Sequence, residues 1–109
     1  MIQISLEKKK TIITLTIKGH SNSAEYGKDI ICASVSTIVE FLGVYFDVLE
    51  SKYKINLVKH IESGNALFEF SFIERNLMKA IEVFFETLQE TYPEYISFTK
   101  NSEFSDFIR

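Results

Sequence analysis

Apolar and polar positions alternate from the start of the chain. In Met1-Ile2-Gln3-Ile4-Ser5-Leu6-Glu7, Ile2, Ile4 and Leu6 fall on one side and Gln3, Ser5 and Glu7 on the other. That is the period of a half-buried strand. Thr11-Ile12-Ile13-Thr14-Leu15-Thr16-Ile17 is rich in β-branched residues and predicts a second strand over 11–18, with Lys8-Lys9-Lys10 as a solvated hairpin tip. The period vanishes across Gly19-His20-Ser21-Asn22-Ser23-Ala24-Glu25-Tyr26-Gly27-Lys28, a small, polar stretch that reads as a loop. From Asp29 it changes to three and four. Ile31, Val35, Ile38, Val39, Leu42, Tyr45, Phe46 and Leu49 recur on one face of a long helix, with Asp29 as its N-cap. Gly43 inside that helix costs about 1 kcal/mol relative to Ala. Close packing would explain it, against a neighbour the sequence does not name.

A second hairpin follows over 54–62 and 66–73 around Ser63-Gly64-Asn65. Phe68, Phe70 and Phe72 share one of its faces; Leu67, Glu69, Ser71 and Ile73 share the other. Leu77, Met78, Ile81, Phe84, Phe85, Leu88 and Tyr92 then mark a second helix, stopped by Pro93. Tyr95-Ile96-Ser97-Phe98-Thr99 alternates as a last strand, and residues 101–109 read as a loosely held tail. The order is ββαββαβ. It predicts a single α+β domain over 1–109, with two helices packed on a mixed or antiparallel sheet.

Composition narrows the function classes. The chain has 109 residues, 46% of them hydrophobic, with ten Phe and five Tyr, enough for one compact core. A net charge of −3 with no basic stripe argues against direct binding to nucleic acid. No apolar run approaches the roughly 20 residues of a membrane span, and the N-terminus lacks a signal-peptide layout. One Cys excludes an internal disulfide and a Cys-rich zinc site, and two distant His do not replace one. No metal and no cofactor are therefore expected. The expected compartment is the reducing cytoplasm.

That single Cys is the most informative residue. With Asp29 as cap, Cys32 falls in the first helical turn, where unpaired amides and the positive end of the helix dipole favour a thiolate. The backbone amides of Cys32 and Ala33 are then candidate oxyanion donors. His20 ends the preceding strand, and the loop after it returns to the helix start, within reach of a Cys–His pair. His60, in the second hairpin, has no local link to Cys32. Asp29 would orient an imidazole or only cap the helix. Ser36 lies one turn after Cys32, facing a site or bonding back to the preceding turn. A lone Cys is also often an inert core residue, and spacing alone leaves both readings open.

The stretch Gly19-His20 … Tyr26-Gly27-Lys28-Asp29-Ile30-Ile31-Cys32-Ala33-Ser34-Val35-Ser36 resembles the Prp family of bacterial ribosomal-processing cysteine proteases. Members of that family look like G-H-x(n)-G-x-D-I-V-C-A-A-V-S. The resemblance extends over essentially the full chain, although its specificity lies in residues 19–36. It implies that Cys32 is the nucleophile and His20 its general base. Asp29, Ser36, Gly19 and Gly27 match supporting positions of the motif. Ser21, Ile31 and Ser34 depart from it without removing a reactive group. It further implies a substrate, the short N-terminal extension of a large-subunit ribosomal protein, and a homodimer. The competing expectations are a non-catalytic, ribosome-associated binding module and a thiol redox sensor, the latter needing an intermolecular partner for its one Cys.

Overall fold

A computed structural model describes residues 1–19, 26–71 and 74–109, with the backbone alone at 26–29. Strands β1 (Ile2–Lys9) and β2 (Ile12–Lys18) form the first hairpin. Its turn lies at Lys10-Thr11, with Lys10 in the left-handed region at φ 58°. Lys8 and Lys9 thus pair with Ile13 and Ile12 and are not part of the tip. Helix α1 (Tyr26–Lys52) follows, then the hairpin β3 (Val58–Glu62) and β4 (Asn65–Phe70), helix α2 (Arg75–Thr91), strand β5 (Ile96–Lys100) and helix α3 (Ser102–Ile108).

The five strands form one mixed sheet in the order β3-β4-β2-β1-β5, parallel only between β1 and β5. Its core-facing residues share one parity: Ile2, Ile4 and Leu6; Ile13, Leu15 and Ile17; Ala66, Phe68 and Phe70; Ile96 and Phe98, all buried. One face is therefore covered by helices. The other carries Ser5, Thr14, Thr16 and Glu69, with a Ser5–Thr16 hydroxyl contact. Phe72 and Ile73 lie outside the described residues.

In α1 the predicted stripe is the packed one. Ile31, Val35, Val39, Leu42 and Phe46 are buried, and the Phe46 ring sits 5.4 Å from Phe68 and 4.4 Å from Phe70. The neighbour that Gly43 requires is β3: a Cβ there would lie 3.2 Å from Ile61 Cδ1. The expectation that nothing in the chain is long and apolar enough to span a bilayer meets one exception, Ile30–Lys52 within α1, which passes on length and composition. Polar Ser34, Ser36 and Glu40 break its runs, yet the inward stripe and a second apolar face raise the average.

In α2, Glu74 caps the N-terminus by accepting from the amides of Asn76 (3.0 Å) and Leu77 (2.7 Å). Met78, Ile81 and Phe85 are buried, whereas Phe84 and Tyr92 point outward. The tail is a correction. Residues 102–108 form α3, capped by Asn101, whose side chain also exchanges two hydrogen bonds with the Lys8 backbone. Phe104 and Ile108 are buried, and Arg75 holds the Phe107 and Arg109 carbonyls. Phe104 and Ile108 are four apart, too short a pattern to stand out in sequence.

Glu82 is the one buried charged residue among those described, 3% exposed. Burial alone would push its carboxyl up, but hydrogen bonds from Lys79 (2.8 Å) and Lys100 (3.0 Å), with their charges, hold it below the usual carboxylate range. Lys100 is raised by its hydrogen bond to Glu86, against desolvation, and by Glu82. A depressed carboxyl stabilises the fold above its unfolded pKa, and that contribution is lost as pH falls through the folded value. Glu82→Gln should therefore lower stability by about 2 kcal/mol near neutral pH. The gap from wild type should close in urea titrations as pH falls below the ordinary carboxylate range and Glu82 becomes protonated.

Candidate active site

Helix α1 starts at Tyr26, three residues before the expected cap. Asp29 therefore lies inside the helix, and Gly27 belongs to its first turn instead of the loop. Cys32 is the seventh helical residue. Its amide and that of Ala33 fall beyond the first turn, where each faces a carbonyl four residues back. The expected oxyanion donors are thus engaged in the helix, and the dipole's positive end is roughly 9 Å of rise away. Helical periodicity does not register the turn before the first apolar residue, so the pattern alone begins the helix three residues late.

Cys32 is half-buried and packs against the core cluster. It opens onto a cleft of about 400 Å³ between α1 and the end of the β3–β4 hairpin. Cys32, Ser36 and Glu40 contribute from the helix, Gly19 from the end of β2, and Ser63, Gly64 and Asn65 from the hairpin tip. Ser36 makes no bond back into the helix among the described residues, whereas Ser34 and Thr37 bond the carbonyls of Ile30 (2.8 Å) and Ala33 (2.9 Å). Ser36 is one of the residues that line the cleft.

Gly19 ties two walls together. Its amide donates to the Gly64 carbonyl at 2.8 Å, and its φ of +100° is one that only glycine adopts readily. A Cβ there would lie 2.4 Å from the Met1 carbonyl oxygen. His20, the residue that follows, lies outside the described residues, as do the side chains of Asp29 and Lys28. His60 points from the opposite face of the sheet, more than half exposed, with Nε2 3.4 Å from Glu62 Oε2. The hairpin tip escaped sequence reasoning as a wall of the site, because its approach to Gly19 is a long-range contact with no local pattern.

The family model described as cysteine protease Prp matches residues 1–97. The chain belongs to the cysteine protease Prp family. It is accordingly a protease whose family operates through a cysteine, and Cys32 is the only cysteine it has. No curated protein matches the chain. Among solved structures it is similar to SMU.848 from Streptococcus mutans, with 27% identity, a TM-score of 0.62, and coverage of 93% of this chain and 96% of that one. It also shares the fold of the essential ribosomal processing protease Prp from S. aureus, solved with a covalently linked product peptide and with a substrate peptide. Identity there is 20%, with TM-scores of 0.63 and 0.62 and coverage of 93% of this chain and 100% of each of those. The Prp match ends at residue 97, within β5, and α3 lies beyond it.

Proposed function

We infer that this protease removes the short N-terminal extension of a bacterial large-subunit ribosomal protein, in the cytoplasm, with Cys32 as nucleophile and His20 as general base. The observation that carries this is the cleft. The sole thiol and the Ser36 hydroxyl line it from one helix, and its far wall is tied to the residue preceding His20. The processing proteases that share the fold, solved with peptides, support a peptide as substrate.

In the reaction His20 takes the Cys32 proton and the sulfur attacks the scissile carbonyl. The protonated His20 then donates to the departing amine as the C–N bond breaks, leaving a thioester on Cys32. Water, deprotonated by His20, hydrolyses that thioester and regenerates the thiol. Ser36 contacts the substrate in the cleft, and Asp29, Gly19 and Gly27 support the two reacting groups. Incubation of the extended ribosomal precursor with wild type, Cys32→Ala and His20→Ala, followed by mass spectrometry, tests this. A single cut made by wild type alone is expected. A cut that survives Cys32→Ala, or no cut at all, refutes it.

The enzyme acts as a homodimer in this reading, through the outer face of α1. Ile30, Phe41, Val44 and Val48 recur there at helical spacing, with Phe41 61% and Val44 64% exposed. Sedimentation should show a dimer for wild type and a monomer for Phe41→Glu/Val44→Glu; identical profiles would rule this face out.

A further inference from the structure

The sheet has two outer edges, and the chain treats them differently. Along β5 the outward amides are taken: Ile96 donates to the Tyr92 carbonyl at 2.9 Å and Phe98 to Gln89 Oε1 at 2.7 Å. Nothing equivalent covers β3 among the described residues. Glu62 and Asn65 flank the two-residue loop Ser63-Gly64. They must therefore exchange both backbone hydrogen bonds, and alternation makes His60–Leu67 and Val58–Glu69 hydrogen-bonded pairs as well. The amides and carbonyls of Lys59 and Ile61 consequently point away from β4, toward solvent.

All five β3 residues are exposed. Open edges are commonly guarded by a proline or by a lysine standing free on the edge strand. Strand β3 has no Pro, and its one lysine, Lys59, is drawn onto Asp47 of α1 at 2.5 Å. The edge is also continuous with the active-site cleft, since Ile61 and Glu62 belong to both.

We propose that the peptide substrate is held as a sixth strand on the free edge of β3, through main-chain hydrogen bonds to Lys59 and Ile61, and passes Glu62 into the cleft toward Cys32. This rests on the peptidase reading above. Such pairing reads the backbone, so β3 supplies affinity with little sequence preference while the cleft supplies selectivity. Two outward-facing residues make a seam too short to join two folded chains, whose stable interfaces bury about 800 Å² per partner. A flexible peptide engaged in the cleft at one end needs no more.

Amide exchange followed by NMR on Cys32→Ser, with and without a peptide spanning the ribosomal extension, tests the edge directly. Bound peptide should slow exchange at Lys59 and Ile61 by about tenfold or more, the scale of a gained hydrogen bond. His60 and Glu62, already paired to β4, should not change. N-methylation along the peptide should weaken binding about tenfold at alternate positions and hardly at those between. Binding that leaves Lys59 and Ile61 unchanged overturns the proposal, as does their protection without peptide, which would place a second copy on the edge. No binding at all overturns it too. Cleavage of the same peptide by wild type, read separately, reports on the protease itself, so an active enzyme with an unprotected edge refutes only the strand addition.

Discussion

Gly19→Ala is expected to lower kcat/KM for the ribosomal precursor by about 100-fold while leaving a folded protein. Two costs meet at this position. A methyl group in the left-handed region costs about 1–2 kcal/mol. The added Cβ would also stand 2.4 Å from the Met1 carbonyl oxygen, backbone that no side-chain rotation can move aside. The strand end must therefore shift, and with it the amide that bonds Gly64 across the cleft. His20 is attached directly to that residue, and a displacement of about 1 Å between reacting groups is enough for a 100-fold loss. Circular dichroism and thermal melting of the variant should show the native fold with stability reduced by about 2 kcal/mol. Unimpaired cleavage would mean that the Met1–Gly19–Gly64 junction does not set the geometry of the site.

Phe46→Ala carries the largest expected stability loss, about 3–5 kcal/mol. Phe46 is wholly buried and its ring packs against those of both Phe68 and Phe70, so it joins α1 to β4 within the core. Truncation removes the transfer energy of the ring and leaves a void that the surrounding rings cannot fill. Against a total stability of about 5–15 kcal/mol, that loss would leave a substantial unfolded fraction at moderate temperature. Denaturant titration should show a lower midpoint with an unchanged slope. Phe41→Ala, one and a half turns earlier on the exposed face, should change monomer stability by less than about 0.5 kcal/mol. Equal losses for the two would contradict the assignment of inner and outer faces of α1.

The period of the apolar residues is sufficient for the order of the first seven elements and for the faces of α1 and β4, because burial on one side selects residues by spacing. It also placed Cys32 and Ser36 on one helix, a turn apart, and the Gly-His…Cys pattern pointed to the family. What periodicity cannot see lies at element ends. Capping and hairpin register are decided by single backbone hydrogen bonds. The helix accordingly begins at Tyr26 instead of Asp29, and the lysine tip is Lys10-Thr11. The α3 helix has no local signature because it depends on Asn101, on Arg75 and on packing against β1 and α2.

The site divides the same way. The sequence by itself determined which reactive groups exist: one thiol, two imidazoles, and a serine a turn beyond the thiol. Only the tertiary structure brought the Ser63-Gly64-Asn65 tip against Gly19 to close a cleft over Cys32, turned His60 to the far face of the sheet, and placed β3, an edge uncovered among the described residues, beside that cleft. The physical reason is range. Side-chain spacing encodes contacts within a helix or strand, whereas a cleft exists only where segments more than forty residues apart are pulled together by burying the face they share.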